Sequence, residues 1–165
     1  DHCRAQADAL GALGDRRHRL VVVPAHGRAR GRRAGLPGEP VIVYFFPEAF
    51  SPGCTTEVCD FRDNKAGLAA AGYVLLGVSA DPPSRQREFR AAHEVNHDLL
   101  SDPDCITARR WGAWGHKTVN GQDTTGPLRS TFIIDADGLI TSAQYQVDAK
   151  SHVADLRRQV AVDTI

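Results

Sequence analysis

The sequence predicts an α/β fold in which helices flank a central mixed β-sheet. An unbroken apolar run at residues 41–46 and a second, mostly apolar run at 73–80 are each followed by a helical pattern. Continuous apolar runs of this length are typical of strands buried on both faces of a parallel sheet. A third apolar run at 130–134 precedes the turn sequence Asp-Ala-Asp-Gly, which predicts an antiparallel hairpin at one side of the sheet.

The first strand and helix form the central unit of the chain. The strand VIVYFF ends at Pro47, and a turn-forming Ser-Pro-Gly follows at 51–53. A helix is predicted over about 55–71, ending at Gly72. Its inner face is expected to carry Val58, Phe61 and Leu68.

The middle of the chain repeats this order. After the strand at 73–80, the prolines of Asp-Pro-Pro-Ser suit the first turn of a helix over about 84–95. The inner face of that helix is predicted to carry Phe89, Ala92 and Val95. Residues 97–100 are predicted to be a short strand, and a short helix is predicted to end near Trp111.

The last third of the chain is predicted to contain a loop, a hairpin and a closing helix. Residues 111–127 are rich in glycine and predict a loop. The strand at 130–134 is expected to pair with 139–146 through the turn at 135–138. The closing helix is predicted to start near Ser151, with Val153, Leu156 and Val160 on its inner face.

Composition excludes several classes of function. The chain has 165 residues, which predicts one main domain, and 20 basic against 20 acidic residues give no net charge. This balance argues against nucleic acid or a membrane surface as the main partner. No apolar run is long enough to span a bilayer. Four cysteines are too few for a secreted disulfide framework, so we expect a cytoplasmic protein. We also expect a monomer.

The first 36 residues differ in composition from the rest. Up to residue 38 the chain has eight Arg, six Gly and no Lys. This composition predicts a poorly ordered basic segment at 1–36, ahead of the main domain at 37–165. The abrupt change motivates the hypothesis that the sequence upstream of about Gly35 reflects a reading-frame or gene-model error, or unusual divergence.

Cys54 is the strongest candidate for a reactive residue. It follows the buried strand and the Ser-Pro-Gly turn, and lies where the first helix is predicted to begin. The free N–H groups and the dipole of a helix N-terminus favour the thiolate, which is the nucleophilic form of cysteine. Thr55 and Thr56 are candidates for capping the same N-terminus.

Cys59 is the second candidate, five residues further along the chain. In an intact helix, five residues give about 7.5 Å of rise and about 140° of rotation. A disulfide tolerates a Cα separation of at most about 7 Å, so the two sulfurs cannot bond while the helix is wound. The spacing therefore suits a pair that joins only after the first turns unwind.

These residues carry a resemblance to a known family. Pro47-x-x-x-Ser51-x-x-Cys54 resembles the active-site motif of peroxiredoxins, Pro-x-x-x-Thr-x-x-Cys, with Ser in place of Thr. The longer string PEAFSPGCTTEVCDFRD is similar to the bacterioferritin-comigratory (Q-type) branch. Further similar blocks are LLSDPD, WGAWGHK and RSTFIIDADGLI, so the resemblance extends over roughly residues 38–160.

The resemblance implies a thioredoxin-like fold and a thiol peroxidase acting on hydrogen peroxide and organic hydroperoxides. Cys54 would be the peroxidatic cysteine, oxidised to a sulfenic acid, and Cys59 the resolving cysteine, which closes an intramolecular disulfide. Thioredoxin or a similar dithiol reductant would regenerate the thiols. No metal or organic cofactor is expected.

The resemblance also implies roles for three further residues. Arg129, at the start of RSTF, would place its guanidinium beside the peroxidatic sulfur, where a cation favours thiolate and stabilises developing oxygen charge. The hydroxyl of Ser51 would hydrogen-bond the peroxide. Pro47 would shield the sulfur from water.

Other chemically reactive residues are interpreted as structural. His93 and His97 have the spacing of two ligands on one helix face, but no third ligand is apparent, so we predict a solvated face. Trp111 and Trp114 are predicted to pack in the core or a loop. Cys3 and Cys105 have no surrounding motif.

Two other functions remain open on the residues alone. A non-catalytic thioredoxin-fold interaction module is possible if the unusual N-terminal segment disturbs the site. A protein disulfide oxidoreductase is the second alternative. That class normally uses Cys-x-x-Cys, and the wider spacing of Cys54 and Cys59 counts against it.

Overall fold

The structure is a computed structural model that describes residues 40–136 and 140–163, with side chains placed for 40–136 and 140–160. The predicted basic segment at 1–36 therefore lies outside the described residues. So does the part of the predicted 135–138 turn that follows Ala136.

The described residues form seven strands, four α-helices and one 3₁₀ turn. The strands are β1 Val41–Phe45, β2 Val74–Ser79, β3 Asp98–Ser101, β4 Trp114–Val119, β5 Gln122–Pro127, β6 Ser130–Ile134 and β7 Ile140–Gln144. The helices are α1 Pro52–Ala70, α2 Pro83–Ala92, α3 Ile106–Arg110 and α4 His152–Asp163, with the 3₁₀ turn at Pro103–Cys105.

Five strands form the central sheet, in the order β3-β2-β1-β6-β7. β1 and β3 both run parallel to β2, whereas β6 is antiparallel to its neighbours β1 and β7. The sheet is therefore mixed, as the sequence predicts. β1 lies in the middle because its residues are apolar on both faces, and all five are buried.

The alternation of side chains along β1 divides the core into two layers. Val41, Val43 and Phe45 face one layer, where Trp111 and Phe132 pack edge-on against Phe45. The residues between them point to the other face and pack beneath α1 and α4, where the predicted inner-face residues are all buried. These are Val58, Phe61 and Leu68 in α1, and Val153, Leu156 and Val160 in α4.

The largest departure from the sequence prediction is the segment predicted as a loop at 111–127. Residues 114–127 instead form the antiparallel hairpin β4–β5. The turn consists of Asn120 and Gly121, with φ angles of 51° and 78°. Asn-Gly with two positive φ angles is the turn that a tight hairpin favours. The high glycine content obscured this signal, and the strands are too polar and exposed to show a hydrophobic period.

Helix boundaries also differ from the predictions. α1 begins at Pro52 rather than near residue 55, because proline is well tolerated in the first turn of a helix. α2 ends at Ala92 rather than near residue 95. Val95 is buried, as predicted, but it lies in the connection to β3, and Ala92 is exposed.

Gly77 in β2 lies opposite Tyr44 in the β1–β2 register, and its lack of a side chain makes room for the Tyr44 ring. A Cβ at this position would lie 2.8 Å from both the Tyr44 hydroxyl and Leu99 Cδ2. We predict that Gly77→Ala lowers the free energy of unfolding by about 1–3 kcal/mol through overpacking.

Urea unfolding measures this effect, with Gly115→Ala as the matched control. Gly115 is also in a strand, but its Cβ would lie 3.6 Å from Leu128 Cδ1, an ordinary contact distance. Equal stabilities of the two variants would contradict the packing argument for Gly77.

Candidate active site

Cys54 lies in the first turn of α1, as its third residue, and its side chain is almost fully buried. Ser51 is the N-cap residue, with φ −67° and ψ 148°, and its carbonyl accepts the first helical hydrogen bond from Thr55 N–H. The sulfur therefore lies within the region of partial positive charge at a helix N-terminus. The sequence placed it there correctly, although the helix starts two residues before Cys54 rather than after it.

The loop between β1 and α1 bends back over the sulfur. Asp81, at the end of β2, holds this loop by accepting the Ala49 N–H at 2.8 Å and the Ser79 hydroxyl at 2.6 Å. With the loop fixed in this way, Glu48 N–H points toward Cys54 Sγ at 3.5 Å. The backbone thus supplies one donor to the sulfur.

Arg129 supplies the second donor and the site's positive charge. Its Nη2 lies 3.4 Å from Cys54 Sγ, and its Nη1 donates to Glu57 Oε1 at 3.0 Å. Sheet pairing brings these residues together, because Ser130 is opposite Phe45 in the β1–β6 register. Arg129, the residue before β6, therefore lies next to the residues that follow β1.

Glu57 is a site residue that the sequence analysis missed. It is fully buried, one turn after Cys54 on α1. Burial raises the pKa of this carboxyl to about 7, although the charge of Arg129 opposes the shift. Burial by itself would lower the pKa of Arg129. The interactions with Glu57 and Cys54 together have a larger effect, so the pKa of Arg129 is raised. The i, i+3 spacing of Cys54 and Glu57 was the signal available in the sequence.

Two further residues shape the surroundings of Arg129. A Cβ on Gly53 would lie 3.2 Å from Arg129 Nη2, so glycine leaves room for the guanidinium. Lys117, on β4, donates to the Pro127 carbonyl at 2.7 Å. Burial lowers the pKa of Lys117 and the nearby Cys54 opposes that shift, so a second cation lies within electrostatic range of the sulfur.

Cys59 is half-buried on the same helix, and both Cys54 and Cys59 are free thiols. α1 is continuous through both residues, so the sulfurs remain apart in this conformation. Burial raises the pKa of Cys59, while Arg62 opposes the shift and Asp63 adds to it.

The remaining residues predicted to shape the surroundings of the sulfur are Ser51, Pro47, Thr55 and Thr56. The Ser51 hydroxyl donates to the Glu48 carbonyl at 2.9 Å, which leaves the N-cap without a side-chain bond to the helix. Pro47 is half-buried directly after the last buried residue of the β1 run. The prediction that Thr55 or Thr56 caps the helix is wrong, because Thr56 donates to the Pro52 carbonyl inside the first turn.

The prediction of a solvated histidine pair is wrong for His97. α2 ends before His93, so the two imidazoles do not share a helix face. His97 is buried and lies 2.6 Å from the Tyr44 hydroxyl. Burial lowers the pKa of His97 to about 3, so the ring is neutral. Its Nδ1 faces Asn96 Oδ1, which can only accept, so Nδ1 carries the hydrogen and Nε2 accepts a hydrogen bond from the Tyr44 hydroxyl. Among residues 40–136 and 140–160, no three metal-ligating side chains come together.

The remaining residues singled out from the sequence are structural. Trp111 is buried in the core, and Trp114 lies half-buried beneath the Arg109 guanidinium. Cys105 is a buried free thiol in the 3₁₀ turn, and Cys3 lies outside the described residues. Within the described part of the chain, no helix has the length and hydropathy needed to cross a bilayer.

A buried thiol at a helix N-terminus, with an arginine beside it at the edge of a mixed sheet, is typical of proteins that use a cysteine nucleophile. The comparisons identify the family: the chain belongs to the AhpC/TSA family, whose model matches residues 27–143. It is therefore a peroxiredoxin, as the motif around Cys54 predicts.

The relatives point to the Bcp branch. The chain is 48% identical over 129 residues to a putative peroxiredoxin of Mycobacterium tuberculosis, covering 78% of this chain and 82% of the relative. It is 40% identical over 115 residues to the putative peroxiredoxin Bcp of Haemophilus influenzae, covering 70% of this chain and 74% of the relative.

Solved structures confirm the thioredoxin-like peroxiredoxin fold. The bacterioferritin comigratory protein of Xanthomonas campestris matches with a TM-score of 0.71 at 28% identity, over 78% of this chain and 82% of that one. The peroxidoxin BcpB of Mycobacterium tuberculosis matches with a TM-score of 0.72 at 27% identity, over 90% of this chain and 96% of that one.

The raised pKa of Glu57 predicts a pH dependence of stability. An acid whose pKa is higher in the folded state stabilises the fold fully below its unfolded value of about 4.5, and that stability is lost as the pH rises through about 7. Relative to Glu57→Gln, the unfolding free energy of the unmodified protein should fall by roughly 3 kcal/mol over this range.

Urea unfolding at a series of pH values measures the difference. Glu88→Gln, at an exposed position on α2, is the control, and it should reproduce the pH slope of the unmodified protein. A Glu57→Gln variant with that same slope would show that the buried carboxyl does not titrate near pH 7.

Proposed function

We propose that this chain reduces hydrogen peroxide and organic hydroperoxides at Cys54. The observation that carries the proposal is the arrangement of Arg129, whose guanidinium reaches both Cys54 Sγ and the buried Glu57 carboxyl. A fixed cation at this position favours the thiolate, and Glu57 fixes the cation. The bacterioferritin comigratory protein of Xanthomonas campestris has an alkyl peroxide reduction activity, which supports the substrate class.

In the first step, the Cys54 thiolate attacks the terminal oxygen of the peroxide. The O–O bond breaks, a sulfenic acid forms on Cys54, and the other oxygen leaves as water or an alcohol after taking up a proton. Negative charge develops on the leaving oxygen in the transition state. Arg129 and Glu48 N–H are the donors already directed at the sulfur, so they are placed to stabilise that charge.

Ser51 and Pro47 complete the proposed site. Within the described part of the chain, the Ser51 hydroxyl bonds to the Glu48 carbonyl, and rotation about its side-chain torsion would turn it toward a bound peroxide. Pro47 has no N–H and lies half-buried beside the loop, so it limits the access of water to the sulfur.

In the second step, Cys59 condenses with the sulfenic acid and closes the intramolecular disulfide. This requires the start of α1 to unwind, since the intact helix keeps the sulfurs apart. The first turn lacks a side-chain cap and an acidic residue, both of which stabilise helix starts, and it contains Gly53, which destabilises them.

A dithiol reductant then restores both thiols by disulfide exchange, and thioredoxin is the proposed donor. In the proposed cycle, the two cysteines give electrons to the peroxide and receive them back from the dithiol, so no metal or organic cofactor takes part. Because both thiols lie on one chain, the cycle is complete in a monomer.

Substitution of each cysteine tests the two steps separately. Cys54→Ser should abolish peroxide consumption. Cys59→Ser should retain the first oxidation but lose thioredoxin-linked turnover and accumulate sulfinic acid, because the sulfenic acid stays unresolved. Cys105→Ser is the matched control and should turn over normally. Peroxide consumption and mass mapping measure these results, and normal turnover by Cys54→Ser would exclude the mechanism.

Replacement of the arginine tests the electrostatic step. We predict that Arg129→Met slows the oxidation of Cys54 by roughly 10²–10³-fold, the usual effect of removing one charge-stabilising donor. Stopped-flow measurement with hydrogen peroxide gives this rate. Arg87→Met, at an exposed position on α2, is the control and should oxidise at the unmodified rate. A reduction smaller than tenfold for Arg129→Met would show that the guanidinium does not act on the reacting oxygens.

A further inference from the structure

α1 is attached to the rest of the molecule differently on the two sides of Cys59. Beyond Cys59, three hydrogen bonds join the helix to the connection between α2 and β3. Arg62 Nη1 donates to the His93 carbonyl at 2.7 Å, and Asn96 Nδ2 donates to the Arg62 carbonyl at 3.1 Å. Lys65 Nζ donates to the Asn96 carbonyl at 2.5 Å. We call Arg62, Lys65 and Asn96 the Arg62 clamp.

The connection that receives the clamp is itself fixed to the core. Val95 is buried in the core layer that packs beneath α1. His97 is buried between two partners, the Asn96 side chain at 3.2 Å and the Tyr44 hydroxyl at 2.6 Å. The clamp therefore anchors α1 to a rigid part of the molecule.

Before Cys59, the polar attachments of the helix converge on the reacting centre. Within the described residues, the side-chain hydrogen bonds from 52–58 to later elements are those of Cys54 and Glu57 with Arg129. Thr56 bonds only inside the first turn. Oxidation of the sulfur changes the contact of Cys54 with Arg129 directly, while the contacts of the Arg62 clamp are untouched by it.

We propose that the Arg62 clamp stops the unwinding of α1 just beyond Cys59 and so positions Cys59 for its attack on oxidised Cys54. This inference rests on the proposed function, in which Cys59 is the resolving thiol. Cys59 lies three residues before Arg62, less than one helical turn, so it stays close to the folded end of the helix. Cys54 makes most of the movement.

The chemistry of the step balances without a further reactant. The Cys59 thiolate forms the S–S bond, the S–O bond of the sulfenic acid breaks, and the departing hydroxide takes up a proton to become water. The clamp residues touch neither sulfur in this step, so they are positioning residues.

Loss of the clamp should slow the closing of the disulfide. With the clamp intact, the mobile stretch is about half of the 19-residue helix. The loop between Cys54 and Cys59 has the same length with or without the clamp. Without the clamp, unwinding extends beyond Cys59, so the backbone of Cys59 must be ordered again before the bond forms, which should slow closing by about fivefold. The sulfenic acid then persists longer, so sulfinic acid should form at a lower peroxide concentration.

The experiment combines hydrogen exchange with rapid mixing. The unmodified protein, Arg62→Met and Asn96→Ala are each compared in the reduced form and after one equivalent of hydrogen peroxide. Amide exchange is read separately over 52–61 and 63–70, and the formation of the Cys54–Cys59 disulfide is followed by quenched alkylation and mass mapping. Arg90→Met is the matched control, because Arg90 bonds to Val95 in the same connection without reaching α1.

In the unmodified disulfide form, we expect residues 52–61 to lose protection and 63–70 to keep it. In Arg62→Met and Asn96→Ala, protection of 63–70 should be lost in the disulfide form while the reduced form remains protected. The initial oxidation of Cys54 should be unchanged, and closing should be about fivefold slower. Arg90→Met should behave as the unmodified protein.

Two results would overturn the inference and leave the peroxidase mechanism intact. One is loss of protection over 63–70 in the unmodified disulfide form. The other is equal or faster disulfide closing in both clamp variants. A failure of the proposed function would look different, because no Cys54–Cys59 disulfide would form in the unmodified protein.

Discussion

The site depends on one cation shared between two buried acidic groups. Arg129 lies between the Glu57 carboxyl and the Cys54 sulfur, and neither partner is accessible to bulk water. A buried charge is costly unless it is paired, so the charge on each member of this triad depends on the charges of the other two. Glu57 keeps the guanidinium in place, and the guanidinium favours negative charge on sulfur. Among the residues that the structure describes, the second carboxylate oxygen of Glu57 has no hydrogen-bond partner, which is consistent with the raised pKa of this group.

The same helix must be stable at one end and able to open at the other. Its start has a glycine and no side-chain cap, and its polar contacts to later parts of the chain are those of Cys54 and Glu57 with Arg129. Its middle is packed on the sheet through Phe61, whose ring stacks on Tyr44 with a centroid separation of 4.1 Å. Stability in proteins is commonly distributed in this way, with mobile functional segments next to well-packed units. In the proposed cycle, this difference lets the cysteine pair close without unfolding the domain.

Local patterns were reliable where one physical effect dominated. Continuous apolar runs identified β1 and β2, and helical spacing identified the buried faces of α1 and α4. They failed where signals competed. The Asn-Gly turn of β4–β5 was hidden by polar, glycine-rich flanks. His97 was interpreted from its spacing to His93, although Tyr44, 53 residues away, determines its environment.

The sequence by itself determined the family, the candidate cysteine Cys54 and the spacing of its proposed partner, because these are contained in one stretch of about twenty residues. The tertiary structure decided what surrounds the sulfur. Arg129 and Glu57 are 72 positions apart, and only the pairing of β6 with β1 places the arginine over the first turn of α1. The burial of Glu57 and His97 likewise arises from packing between elements distant in the chain. Their protonation depends on that desolvation, which a local pattern does not encode.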